Sequence, residues 1–137
     1  MMKIELLYPI AFSIFHTFSL LIYMFLKRKQ AIAQKKIDYH YFLAYQTKFE
    51  VPSDLKIIER HFNNQFQTPI IFYITCLTGA IFLGEHFLFS LFSWLFVITR
   101  LIHTYIHLGS NDLKMRPYIY GLGWFIILIM WAFILIP

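Results

Sequence analysis

Two arginines, two histidines and a tyrosine recur at helical spacing in the segment RLIHTYIHLGSNDLKMRPYIY: Arg100, His103, His107, Arg116 and Tyr120. The first three are at positions i, i+3 and i+7, which places them on one helical face. The last two follow a short loop and are one helical turn apart. Guanidinium, imidazole and phenol groups donate hydrogen bonds to anions, so this pattern is typical of an anion-binding site.

A second polar stripe lies in the segment ERHFNNQFQTP. Arg60, Asn64 and Gln67 are at positions i, i+4 and i+7, again on one face of a helix. The stripe that contains the tyrosine continues one turn later to Trp124. Polar groups that face lipid are costly, so we expect all three stripes to face protein or a wet cavity. Together they predict a basic, hydrogen-bonding pocket at one depth on three helices.

Each stripe taken alone also has a structural interpretation. Asn64 and Gln67 are residues that commonly form hydrogen bonds between membrane helices, and Arg60 and Arg100 suit the headgroup layer. The joint pattern favours the pocket, because the stripes lie at one depth. Arg116 is also predicted to precede a helix, where the helix dipole and the free N–H groups attract an anion.

His103 and His107 have the i, i+4 spacing of metal ligands. Two histidines do not complete a tetrahedral site, and no motif requires Asp112, which follows in the loop, as a third ligand. We therefore predict no metal site and keep a metal-dependent membrane enzyme as an alternative. His16 and His61 have no partner that the spacing identifies.

Membrane-spanning helices must position these residues. The chain has 137 residues, of which 59% are hydrophobic, which is more than a small soluble domain can bury. The apolar residues form largely uncharged blocks, each near the roughly 20 residues that a spanning helix needs. We predict an all-α membrane protein, a single domain over residues 1–137. The spans are expected at about residues 6–26, 64–83, 87–107 and 117–136, and the first is retained because no small-residue cleavage site follows it.

Three local signals locate helix ends. Ser53, after Pro52, is expected to cap a helix that runs unbroken from Asp54 into the second span. Pro69 is expected to kink that helix. Pro117 is expected in the first turn of the last helix, where its missing N–H costs nothing.

Basic residues predict the orientation in the membrane. Every lysine and arginine except Lys3 lies in residues 27–60 or 100–116, which contain the loops after the first and third spans. By the positive-inside rule these loops are cytoplasmic, the longer one covering residues 27–53. Both termini are then outside the cytoplasm, in an inner or plasma membrane. The net charge of +5 is thus a topology signal, and we predict no nucleic-acid partner.

The chain resembles the MAPEG family of membrane-associated proteins in eicosanoid and glutathione metabolism. On its second helix the family has an arginine, three residues, an asparagine, two residues, a glutamate and soon a proline. The corresponding residues here are Arg60, Asn64, Gln67 and Pro69. Around the third and fourth helices, the family pattern corresponds to Arg100, His103, His107, Arg116 and Tyr120.

The resemblance implies a homotrimer of four-helix subunits, with glutathione bound between neighbouring subunits at the cytoplasmic end. Arg116 corresponds to the arginine that holds and activates the glutathione sulfur as a thiolate, and Asn64 and Gln67 to residues that hold the peptide. The remaining pocket residues are expected to form its wall or to contact glutathione: Arg60, Arg100, His103, His107 and Tyr120.

Two residues depart from the family pattern. Gln67 occupies the position of a carboxylate, and His107 occupies the position of a tyrosine in several members. A carboxylate can pair with the glutathione ammonium group, whereas an amide can only form a hydrogen bond with it. Loss of that pair costs a few kcal/mol, or roughly two decades of affinity.

The resemblance implies a membrane glutathione-dependent transferase or peroxidase. Its substrates would be lipophilic electrophiles that enter from the bilayer, while glutathione enters from the cytoplasm. The alternative is a non-catalytic MAPEG-like protein that has lost or changed its cofactor.

The predicted orientation is testable by labelling. A single cysteine placed at Asn111, in the second basic loop, should react with a membrane-impermeant maleimide only after the cytoplasmic face is exposed. The native cysteine, Cys76, is first replaced by serine. Labelling of the residue 111 cysteine from outside alone would show that the orientation is reversed.

Overall fold

A computed structural model describes residues 4–44, 50–83 and 86–136. A short 3-10 turn at Ile4–Leu6 leads into six helices: α1 (Leu7–Ala33), α2 (Tyr41–Ala44), α3 (Ser53–Asn64), α4 (Thr68–Phe82), α5 (Phe87–Leu108) and α6 (Met115–Leu135). Four helical stretches are long and apolar enough to cross a membrane: Ile4–Ala33, Ser53–Phe82, Phe87–Leu108 and Met115–Leu135. The prediction of an all-α fold with four candidate spans is confirmed.

The second stretch is two helices, and the prediction of one unbroken helix is wrong. α3 ends at Asn64, and α4 begins at Thr68 after a turn. Pro69 lies in the first turn of α4. If α3 continued through this proline, the ring would meet the carbonyl group four residues earlier, and one backbone hydrogen bond would be lost. The proline therefore starts a new helix, where its missing N–H costs nothing.

Two predicted helix starts are shifted by one or two residues. Ser53 is the first residue of α3, and no side-chain hydrogen bond caps that helix, so the expected serine cap is wrong. α6 begins at Met115, which puts Arg116 inside its first turn and not before it. Pro117 lies in the same turn, as predicted.

The apolar core lies between α4, α5 and α6. Phe72 and Phe96 stack with ring centroids 4.1 Å apart, and both side chains are fully buried. Gly79 allows α4 and α5 to approach, because a Cβ at this position would overlap the ring of Phe89. Cys76 is buried in the same core, where its thiol donates to Ser93 Oγ over 3.6 Å.

A polar network joins α1, α2 and α3 at the opposite side of the bundle from this core. Arg28 Nε donates to Glu59 Oε1 over 2.9 Å, and the Tyr41 hydroxyl donates to Glu59 Oε2 over 2.7 Å. Lys27 pairs with Asp54 over 3.1 Å. These contacts hold the beginning of the long loop, residues 27–53, against the helices. As a result, α2 lies against the end of α1.

Candidate functional site

A cavity of about 420 Å³ opens where α3, the turn that follows it, α5 and α6 meet. The three predicted polar stripes converge on it. Six of the predicted pocket residues line it: Arg60, Asn64, Gln67, His103, Arg116 and Tyr120. Trp124 does not belong to the lining, and neither do Arg100 and His107.

The interruption of the second span brings Gln67 to the cavity. Gln67 lies between α3 and α4 with φ −107° and ψ −97°, outside helical geometry. The Tyr120 hydroxyl of α6 donates to Gln67 Oε1 over 3.3 Å. This hydrogen bond connects α6 to the turn between α3 and α4 and holds the amide at the edge of the cavity.

Arg116 brings an uncompensated positive charge to the cavity. Its Nη1 donates to Asn111 Oδ1 over 2.8 Å, while its Nε is buried without a hydrogen-bond partner. Asn111 adopts a left-handed conformation with φ 51°, which asparagine tolerates better than most residues. No carboxylate pairs with Arg116 in the described part of the chain. The amide therefore orients the guanidinium without neutralising it.

Arg100 is buried behind the cavity wall. Its side chain is 3% exposed and lies between the rings of Phe96 and Tyr120, with 5.2 Å to each ring centroid. Its Nη2 donates to the Tyr120 carbonyl over 3.4 Å. Arg100 thus supports Tyr120 from behind and contributes positive potential without lining the cavity itself.

Three imidazole rings form a cluster beside the cavity. His103 lines the cavity, and its ring centroid lies 5.8 Å from that of Tyr120. His107 is 1% exposed and packs deeper, 4.8 Å from His61. His61 comes from α3, is fully buried and also packs against His103 at 5.3 Å. The sequence pattern missed His61 because its partners lie on another helix.

The cluster continues to α1 through one threonine. Thr104 Oγ1 lies 2.9 Å from His61 Nε2 and 3.1 Å from His16 Nε2, and the hydroxyl donates to the Arg100 carbonyl over 2.9 Å. The network therefore ties α1, α3 and α5 together.

The described residues contain no group of three His, Cys, Asp or Glu side chains placed to hold a metal ion. Asp112, considered as a third ligand beside His103 and His107, has another role. Its Oδ1 accepts hydrogen bonds from the backbone N–H groups of Lys114 and Met115, over 2.8 and 3.3 Å. This carboxylate caps the start of α6, where negative charge favours the helix dipole.

Four apolar helical stretches with a polar cavity at one end of the bundle define a multi-pass helical membrane protein. The chain matches the model of the MAPEG family over residues 6–136 and belongs to that family. Comparisons with curated proteins and with solved structures found no match. The function is therefore inferred from the family membership and from the residues that line the cavity.

The place of Arg100 depends on Gly123. A Cβ at Gly123 would collide with Arg100 Nη2, whereas a Cβ at Gly121 meets nothing within 4 Å. Gly123→Ala should lower the free energy of unfolding by about 1–3 kcal/mol, because the guanidinium must leave its position between two rings. Gly121→Ala is the matched control and should be neutral or slightly stabilising.

Thermal unfolding in mild detergent measures both changes. If the collision is the cause, Gly123→Ala should cost much less in an Arg100→Ala background. The difference is a coupling of about 0.5–3 kcal/mol in a double-mutant cycle. Strictly additive effects would show that Gly123 does not act through Arg100.

Proposed function

We propose that the protein binds glutathione in the cavity and acts as a membrane glutathione-dependent transferase or peroxidase on lipophilic electrophiles. The observation that carries the proposal is the position of Arg116. Its guanidinium lines the cavity from the first turn of α6 and has a neutral amide as its hydrogen-bond partner. Membership of the MAPEG family, which includes glutathione-dependent enzymes, supports the choice of ligand.

Arg116 would activate the sulfur by favouring its anion. A free thiol has a pKa of about 8.5–9, so only a few per cent is the reactive thiolate at neutral pH. Lowering that pKa by about two units requires roughly 2.7 kcal/mol. A charge-assisted hydrogen bond together with a helix N-terminus is of the right size to supply this. The thiol proton would pass to solvent when the thiolate forms.

In a transferase reaction the thiolate would attack an electrophilic carbon, and either a leaving group would depart with the bonding electrons or an activated double bond would take up a proton from water. In a peroxidase reaction the thiolate would attack a hydroperoxide oxygen and break the O–O bond, the alkoxide would take a proton from water, and a second glutathione would convert the sulfenic acid to the disulfide and water.

Asn64 and Gln67 would hold the peptide part of glutathione. Both line the cavity, and the hydrogen bond from Tyr120 fixes the orientation of the Gln67 amide. Arg60 is exposed and also lines the cavity, where it can pair with a glutathione carboxylate. His103 would form the wall, while Arg100 and His107 would act from behind it through packing and positive potential.

The second candidate function is that of a MAPEG protein that has lost or changed its cofactor. Gln67 favours this alternative, because an amide cannot form an ion pair with the ammonium group of glutathione. The same basic cavity would then bind another anion. Binding of glutathione by the purified protein separates the two candidates.

Glutathione should raise the melting temperature of the detergent-solubilised protein, since a ligand of the folded state stabilises it. Wild-type protein with glutathione should also show the ultraviolet band of a thiolate near neutral pH. Arg116→Ala should abolish the band, and Arg116→Lys should restore part of it, because the planar guanidinium is lost. Binding should weaken less than thiolate formation, since Asn64 and Gln67 still hold the peptide.

The matched control is Lys114→Ala, which removes an exposed positive charge two residues away and should leave the band unchanged. A thiolate band that survives in Arg116→Ala would remove Arg116 as the activator. Binding without a thiolate band in the wild-type protein would contradict the catalytic proposal and favour the second candidate.

Gln67→Glu should increase the affinity for glutathione by up to about two decades, since a carboxylate can pair with the ammonium group. Isothermal titration of the purified variants measures the change. Asn63→Asp, which adds an exposed charge one turn away, should have a much smaller effect. N-acetylglutathione lacks the ammonium group and should gain nothing from Gln67→Glu. An equal gain for both ligands would show that position 67 does not contact the ammonium group.

We propose further that the protein assembles as a homotrimer, with neighbouring subunits completing the site. Large apolar side chains of α1 are exposed in the single chain, among them Phe15, Phe18 and Phe25. Lipid or a neighbouring subunit must cover them. Chemical crosslinking and native mass spectrometry in mild detergent should show three copies. A monomer or dimer as the largest species would count against the shared site.

A further inference from the structure

A second cavity, of about 670 Å³, lies at the loop end of α1 and shares no lining residue with the first. Its α1 side consists of Phe25, Arg28, Lys29, Ile32 and Ala33. These residues are at positions i, i+3, i+4, i+7 and i+8, so they occupy one helical face. The other side comes from Tyr39 and from Phe42 of α2. The result is a groove with apolar walls and two cations in the middle of one wall.

The polar network between the helices holds the two walls of this groove in place. Arg28 bonds to Glu59 of α3 over 2.9 Å and lies over the ring of Phe42, 5.1 Å from its centroid. Tyr41, next to Phe42, donates to the same carboxylate over 2.7 Å. Contacts from three helices therefore fix the position of α2 against α1, and the groove is built into the fold.

The charge of the groove is positive and only partly compensated. Glu59 neutralises Arg28, and Asp54 pairs with Lys27. Lys29 is exposed and forms no ion pair with any of the residues that the structure describes. One full positive charge thus lies beside apolar walls, which is complementary to an anion attached to an apolar chain.

The depth of the groove indicates what kind of molecule fits it. Phe25 lies in the apolar part of the first candidate span, and Lys27 carries the first charge after it. From Phe25 to Ala33 the helix rises about 12 Å. The groove therefore reaches from the edge of the hydrocarbon to the headgroup layer, which is the length of a lipid headgroup and the first part of its acyl chain.

We propose that this groove binds one anionic phospholipid from the leaflet on the side of the long loop. The acyl chain packs against Phe25 at the membrane end of the groove, and the headgroup phosphate pairs with Lys29. Ile32 and Phe42 line the opposite end, where the rest of the headgroup lies. The lipid would lie across α1 and α2 and join them to the bilayer. This site is independent of glutathione and of the first cavity, so the two proposals can fail separately.

Native mass spectrometry of the full chain in mild detergent tests the site, with phosphatidylglycerol and phosphatidylcholine of identical acyl chains as the probes. We expect tighter retention of phosphatidylglycerol, together with a higher melting temperature when it is added. Lys29→Gln should reduce phosphatidylglycerol retention about fivefold and leave phosphatidylcholine unaffected. Lys36→Gln removes an exposed lysine outside this groove and is the matched control.

A second variant fills the headgroup end of the groove. Ala33→Phe places a ring there and should reduce the retention of phosphatidylglycerol even though Lys29 is unchanged. A melting temperature close to that of the wild-type protein in detergent alone shows that this variant is folded. If it is not, Ala33→Leu, a smaller filling change, replaces it.

Several results would overturn the proposal. If Lys29→Gln and Lys36→Gln reduced phosphatidylglycerol retention equally, the lipid would be attracted by the overall positive charge of the loop and not bound at a specific site. Equal retention of both lipids would exclude recognition of the anion. Equal stabilisation by glycerol 3-phosphate would mean a free phosphate ligand. A second copy of the chain would fill the groove if two results came together. The wild-type protein would retain no lipid, and Ala33→Phe would change the oligomeric state.

Discussion

Pro69 cannot continue a helix, and the arrangement of the first cavity depends on that constraint. The second span begins as α3, stops at Asn64 and resumes as α4 at Thr68. The break frees Gln67 from helical geometry and puts its amide against the Tyr120 hydroxyl. In the break, the N–H groups of residues 65–67 bond to carbonyl groups three residues earlier, as in a 3-10 turn. This tighter turn gives the cavity a polar edge between two helix ends.

The cavity also depends on cations that lack acidic partners. Glu59 and Asp54 compensate Arg28 and Lys27 at the other side of the bundle. Of the three arginines at or behind the cavity, two are held without a carboxylate: Arg116 by an amide oxygen, and Arg100 by two rings and a carbonyl. Buried charge without a counter-ion costs stability, and such violations are expected at functional sites. An anionic ligand would relieve the cost, which is why the geometry favours one.

The histidines contribute order more than charge. Thr104 joins His16 and His61 through one oxygen, and His61 packs against His103 and His107. This cluster connects α1, α3 and α5 immediately behind His103, which lines the cavity. The position of α1 is therefore coupled to the wall of the cavity. The same helix carries the groove proposed for lipid at its loop end.

The four candidate spans could be predicted from the sequence, because the length of an uncharged apolar block is a local property and the bilayer thickness sets the length that a span needs. The sequence also predicted the faces of the polar stripes, since spacing fixes the angle of each residue around its own helix. Six of the predicted pocket residues line one cavity for this reason. Membership of the MAPEG family was also predicted from these residues.

How those helical faces meet depends on the packing of the helices against one another. Spacing does not fix how far a helix is rotated against its neighbours, so it could not show that Arg100 and His107 lie behind the wall. It could not identify His16 and His61 as partners, because the threonine that joins them lies on a third helix. The sequence predicted a kink at Pro69, because a proline removes one backbone hydrogen bond from a helix. It did not show that the chain would end α3 and begin a separate helix there, since that depends on packing.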